Sequence, residues 1–319
     1  MNLKLTNHSV SRRLSWLAGA LGIAAAAALL RRWQLGSAFE PDTGLSIPGS
    51  PASVILACVL VMAAAWFTIL ALSQPVSHEP RTAGQAGRWD LVFLDTGELA
   101  YPILVILAAV LALAAVPILL KTGLGQWQDY QAAVAARKLN DSVQLPSNNG
   151  SLTIATAVGA AMSFLGLLQM GRDGLHAGRR GRGGFAAALP GVAGCVWLME
   201  SFRAHAANPV RWDYALLLLA IVCGMLLYMD FAGMSAGPAR PRRLLWVAAM
   251  ALALSAPALA SALAEGSIAD ALLLCAQCLT AAAVLWRLPP CLERPPRLKG
   301  TPIPPAQGEA SIQEETDHE

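Results

Sequence analysis

Asp-Thr-Gly occurs twice in the chain, at Asp42–Gly44 and at Asp95–Gly97. That tripeptide, taken twice, is how pepsin-like proteases bring two carboxylates close enough to share one proton. The first copy lies in "RRWQLGSAFEPDTGL", residues 31 to 45, which holds two arginines, two carboxylates, a proline and two glycines in a chain that is mostly Ala and Leu around it. A second polar stretch, "ESFRAHAANPVRWDY" at residues 200 to 214, brings Glu200, Arg203, His205, Asn208 and Asp213. Two further features bear on chemistry. Cys275 and Cys278 in "LLCAQC" are three residues apart, and Asp230 interrupts "LLYMDFAGM".

What these residues can do depends on the elements that carry them. The chain has 319 residues, 55% hydrophobic and 13% charged, with a mean hydropathy of +0.51. Soluble domains carry roughly 25% charged residues, and the deficit here is concentrated in runs of about 20 apolar residues, the length that crosses a ~30 Å hydrocarbon core. Backbone groups in lipid must be satisfied within a helix or a closed barrel, and these Ala/Leu runs lack the alternation of barrel strands. The expected fold is therefore all-α, a polytopic membrane helix bundle of about eight spans over residues 1–286. The spans lie near 14–30, 54–72, 101–120, 152–170, 185–204, 214–234, 244–263 and 268–285. The remaining segment, 287–319, is rich in proline and then in acids, cannot bury a core, and reads as a disordered cytoplasmic tail.

The fifth run is the weakest. Its apolar part, "FAAALPGVAGCVWLM", is short and holds Pro190, so a crossing helix must continue through Glu200 and Arg203. Charge bias argues that it does, because cytoplasmic loops collect Lys and Arg. With eight spans and both termini inside, 16 of the 23 basic residues fall on the inner face and 7 on the outer. Removing the fifth crossing abolishes the bias. The paired arginines of "SVSRRLSWLAG" resemble an export signal, but the run ends in "LLRRW" rather than a small-residue cleavage site, so a retained anchor is expected.

This topology decides among the chemistries. The two Asp-Thr-Gly copies fall on opposite faces, so Asp42 and Asp95 do not form a protease dyad. Asp230 is near an inner helix end, where the cost of a membrane charge falls, and is expected beside the arginines of "PARPRR". Cys275 and Cys278 lack the further ligands a zinc site needs and read as small packing residues. "GRDGLHAGRRGRGG", residues 171 to 184, contains no aromatic to stack a base and reads as an inner loop touching anionic headgroups. "GQWQDYQAAVAARKL" reads as a short interfacial helix with Trp127, Tyr130, Val134 and Arg137 on one side. No dinucleotide fingerprint, Walker loop or nucleophile elbow is present. No catalytic residue, cofactor or metal is expected. The partners expected are the lipid bilayer and other membrane proteins, and not nucleic acid.

The two polar stretches share the outer face. The one site expected there is a polar cluster of Glu40, Asp42, Glu200, Arg203 and His205, in which the acids approach Arg203 and His205. Its weight is set against ordinary membrane-face turns anchored by Trp33 and Trp212.

The loop Trp-Gln-Leu…Phe-Glu-Pro-Asp-Thr-Gly-Leu (33–45), and the pattern Pro…Cys…Trp-Leu…Asn-Pro…Asp-Tyr (190–214), resemble a group of uncharacterised multi-pass membrane proteins of clostridia and related Gram-positive bacteria. The resemblance implies a bacterial cytoplasmic membrane and no activity. A non-enzymatic scaffold, sensor or accessory subunit is the leading expectation, and a small-solute transporter the alternative, for which Pro117, Pro190 and Pro257 provide candidate helix breaks. Reporter fusions at Gly178 and after Glu319 should both read as cytoplasmic. An extracytoplasmic signal from either would refute the eight-span topology.

Overall fold

A computed structural model describes residues 2–40, 47–74, 90–93, 98–139, 145, 149–175, 183–206, 214–236 and 240–292. These residues are all-helical, with no strand among them. The helices are α1 (Asn2–Ser37), α2 (Pro51–Ser73), α3 (Ala100–Leu139), α4 (Gly150–Leu175), α5 (Gly183–Ala206), α6 (Ala215–Ala236), α7 (Pro241–Glu265) and α8 (Ile268–Cys291), with a short 3-10 turn at Asp90–Phe93. Among the described residues, seven helices are long and apolar enough to cross a membrane, α5 not being one of them. A multi-pass helix bundle is what the hydropathy dictates and what the chain forms.

Six helices close a ring. Each of α3 to α7 packs on its successor, α7 packs on α8, and α8 returns to α3. Helix α1 lies outside against α7 and α8, and α2 lies outside against α1 and α7. Consequently α7 is the most enclosed helix, with Leu244, Leu245, Val247 and Ala248 inaccessible to solvent, while α2 turns Val61, Met62, Trp66, Ile69 and Leu72 outward. An apolar surface facing lipid needs no partner, since lipid tails are as apolar as leucine.

Cross-links at the two ends establish that neighbouring helices alternate in direction. At one end Arg31 meets Ser261, Gln34 meets Ser53, Thr153 meets Glu200 and Trp197 meets Asp270. At the other, Arg242 meets Gln74, Asp230 meets Arg243, and Trp286 meets Glu98. Helix α5 obeys the same alternation: Glu200 near its end is bonded to Thr153 at the start of α4, and its residue Ala186 sits beside Gly166 farther along α4. It runs antiparallel to α4 and α6.

Absence of side chains allows this packing. A Cβ on Gly166 would stand 2.5 Å from the Ala186 carbonyl oxygen and 2.9 Å from Cδ of Pro190. Pro190 has no N–H to offer that carbonyl, four residues back on its own helix. The backbone of α4 therefore covers the place where the α5 ladder is interrupted. Small residues in membrane helices let backbones approach in this way.

Two boundaries differ from expectation. The segment after Lys121 is not a separate interfacial helix but a continuation of α3, which runs unbroken for 40 residues, about 60 Å. Gly123 and Gly125 are each tolerated inside a helix at a cost of about 1 kcal/mol, and Gly123 is pressed against Ile154 and Gly150 of α4, which hold the helix through that point. Beyond it Trp127 and the residues that follow are largely exposed. The tail also begins later than residue 287. Helix α8 continues to Cys291 because Arg287 is buried, its Nε donating 2.8 Å to the Val92 carbonyl, and Leu288 and Leu292 are fully buried. Residues 293–319 lie outside the described residues.

Gly166→Leu should lower stability in detergent by at least about 1–3 kcal/mol, the usual cost of overpacking, measured as the midpoint of SDS-induced unfolding. Gly22→Ala, whose new methyl meets open space, should change it little; equal effects of the two would refute the close α4–α5 approach.

Candidate functional site

The polar stretch after the first helix resolves into a structural part and an exposed part. Arg31 is 1% exposed. Its Nε donates 2.7 Å to Oγ of Ser261 and its Nη1 donates 2.6 Å to Oε1 of Gln34, whose own amide donates 2.8 Å to Ser53. Buried charge is tolerable only when its hydrogen bonds are made, and here those bonds tie α1 to both α2 and α7. Glu40 lies past the end of α1 and is exposed.

Glu200, Arg203 and His205 stand at the end of α5, which packs on α4 and α6 rather than on α1. Oε1 of Glu200 accepts from Thr153 at 3.1 Å. Nδ1 of His205 lies 2.7 Å from the Ser201 carbonyl, so it carries the proton, and its ring stacks on Tyr214 at 5.4 Å. Arg203 is exposed. What Glu40 shares with these three is one end of the bundle; among the described residues, no hydrogen bond or ion pair joins it to Arg203 or His205. Asp42 and Asp95 lie outside the described residues, and the helices that bracket them end at opposite ends of the bundle. Asn208 and Asp213 also lie outside them.

Asp230 is 2.9 Å from Nε of Arg243, as the proximity of "PARPRR" suggests. Cys275 and Cys278 are free thiols, and no three His, Cys, Asp or Glu among the described residues converge as a metal site would require.

The arrangement with most chemical content is a cavity of about 50 Å³ inside the ring, roughly midway along the helices, walled by α3, α4, α5, α6 and α8. Each wall is thinned by small residues: Ala112, Ala160, Gly194, Gly224 and Ala276. Five polar side chains reach it: Thr156, Ser163, Trp197, Tyr228 and Gln277. Pro190 also lines it, so the interrupted part of α5 forms one side. At the end nearer Glu200, the Trp197 indole N–H donates 2.8 Å to Oδ1 of Asp270, whose Oδ2 accepts from Ser267 at 2.5 Å. Asp270 sits in the first turn of α8, where a negative charge is favoured by the helix dipole.

Gln277 is 4% exposed and belongs to three helices at once. Its amide nitrogen donates 2.7 Å to the Ala220 carbonyl of α6 and 2.8 Å to Oγ of Ser255 of α7. The Ala220 carbonyl can only accept, which fixes which end of the amide is nitrogen. Gly224 lies flat under this amide, and any side chain there would collide with it. From the sequence Gln277 was visible only as a polar residue beside two cysteines; an amide in the middle of an apolar span was the signal. The pairing of Trp197 with Asp270 had no signal in the sequence beyond the acid at a helix start.

Asp270→Ala should destabilise the protein by about 1–3 kcal/mol, because it leaves the partly buried Trp197 N–H and the Ser267 hydroxyl without their acceptor. Asp270→Asn, which keeps one carbonyl oxygen, should lose less; thermal unfolding in detergent would check the order. No family model, curated protein or solved structure matches the chain.

Proposed function

We propose that the protein is a non-enzymatic, multi-pass component of a bacterial cytoplasmic membrane, with both termini cytoplasmic, that passes a small solute. Of the two readings the sequence leaves, scaffold and permease, the second has a positive observation behind it. That observation is the cavity: polar groups near the middle of a helix ring, beside a helix interrupted by proline. Transporters place their sites near the midplane at discontinuous helices. The acids outside the cavity have other roles, since Asp230 pairs with Arg243 and Glu200 with Thr153. The clostridial resemblance of the two polar stretches supports the bacterial membrane, and the basic-residue bias supports the orientation.

The volume bounds the solute. A cavity of about 50 Å³ is small and points to a compact solute. Purified protein in sealed liposomes should accelerate entry of at least one solute of one to four non-hydrogen atoms over protein-free vesicles, read by light scattering or radiolabel. If correctly inserted protein conducts none of them, the scaffold reading replaces this one.

A further inference from the structure

The lining of the cavity is chemically one-sided. Thr156 donates its hydroxyl proton to the Leu152 carbonyl at 3.0 Å, and Ser163 donates to the Gly159 carbonyl at 2.9 Å. The Tyr228 hydroxyl points its proton at Oγ1 of Thr280, 3.4 Å away. The Trp197 N–H is taken by Asp270, and both protons of the Gln277 amide are taken by Ala220 and Ser255. Every donor among the lining side chains is thus spent on protein. What remains are lone pairs: on Thr156, Ser163 and Tyr228, and on Oε1 of Gln277, which accepts no hydrogen bond among the described residues.

No Lys, Arg or His lines the cavity. Two aromatic side chains do, Trp197 and Tyr228, the kinds that attract ammonium groups. Asp270 and Glu200 place carboxylates just beyond Trp197. A lining made of acceptors, aromatics and nearby negative charge repels anions and leaves a pure acceptor such as an ether or ketone without a partner. It suits a compact solute that brings several N–H donors of its own.

We propose that this cavity binds a small nitrogen donor, ammonia or a short primary amine with its conjugate ammonium ion, and that Oε1 of Gln277 is the acceptor that selects it. The inference rests on the permease reading and narrows it to one solute class. Ammonium and methylammonium, with one and two non-hydrogen atoms, fit a space of about 50 Å³.

The test uses full-length protein in sealed liposomes with radiolabelled methylammonium, and with formate and acetone as compact solutes that lack N–H donors. Methylammonium should enter at least about tenfold faster than through protein-free vesicles, and neither comparison solute should. Gln277→Met should cut the rate by about tenfold or more, one hydrogen bond to a charged donor. Because that change also removes bonds to α6 and α7, Ser163→Ala and Thr156→Val are the second arm. Each loses a lone pair while breaking only a bond to its own helix, and each should slow entry several-fold in protein that remains monodisperse. Uptake that grows with an inside-negative potential assigns the cation, and uptake indifferent to it assigns the free base; either supports the proposal. Entry of formate or acetone without methylammonium would overturn the amine assignment and leave the permease standing. Methylammonium entry unchanged in all three variants would remove Gln277 and the cavity from its path. No entry of any solute would overturn both readings.

Discussion

One amide ties three helices of the ring together. Helices α6 and α8 barely touch along their length, yet Gln277 reaches from α8 to a carbonyl of α6 and a hydroxyl of α7 with the two protons of a single nitrogen. In water such bonds would contribute little net stability, because the separated groups would find solvent. Inside a bundle they are measured against lipid or other protein groups, and interhelical bonds in membranes average roughly 0.6 kcal/mol with a maximum near 1.7. Their value here is geometric. They set the distance among three helices, and that distance leaves the cavity its width. Gly224 completes the arrangement, since any side chain there would push the amide away.

The same economy runs through the rest of the ring. Hydrophobic burial cannot draw helices together in lipid, so contact area and close approach must do so. Gly166 on the Ala186 carbonyl, Gly171 on Ile106, Gly191 on Met229 and Gly194 on Met225 are points where one helix has no side chain and the next fills the space. Larger polar groups are sorted to the two ends. Arg31, Gln34 and Ser261 gather at one, and Asp230, Arg242 and Arg243 at the other. Between them, the polar side chains that line the cavity are hydroxyls, an amide, an indole and a phenol.

Helix number and class were legible because hydropathy acts on each segment separately. Helix α5 was expected from a property of the whole chain, the sidedness of Lys and Arg, and the chain does form a helix there. Asp230 was legible because its partner lies 13 positions away on the next helix. Features that depend on distant partners were not. Nothing near Leu288 indicates that the chain turn at Val92 will accept a bond from Arg287 and carry α8 past two prolines. The continuation of α3 was hidden for a related reason: Gly123 looks like a breaker until α4 is laid against it. Shared sidedness places Glu40 and Glu200 at one end of the bundle; which helices adjoin there is decided by packing, and α1 packs on α7 and α8.

That packing sets a timetable. Arg31 and Ser261 are 230 residues apart in sequence, and a ribosome adds roughly 5–20 residues each second. For something like ten to fifty seconds of synthesis, Arg31 is already made while the hydroxyl that accepts from it has not been. The guanidinium is near a helix end, where a long side chain reaches the interface and keeps its charge in water. Gln34 and Ser53, made within the same first hairpin, provide an interim network. Until α7 is made Arg31 lacks the hydroxyl it donates to, and Gln34 of its own helix is the partner already present.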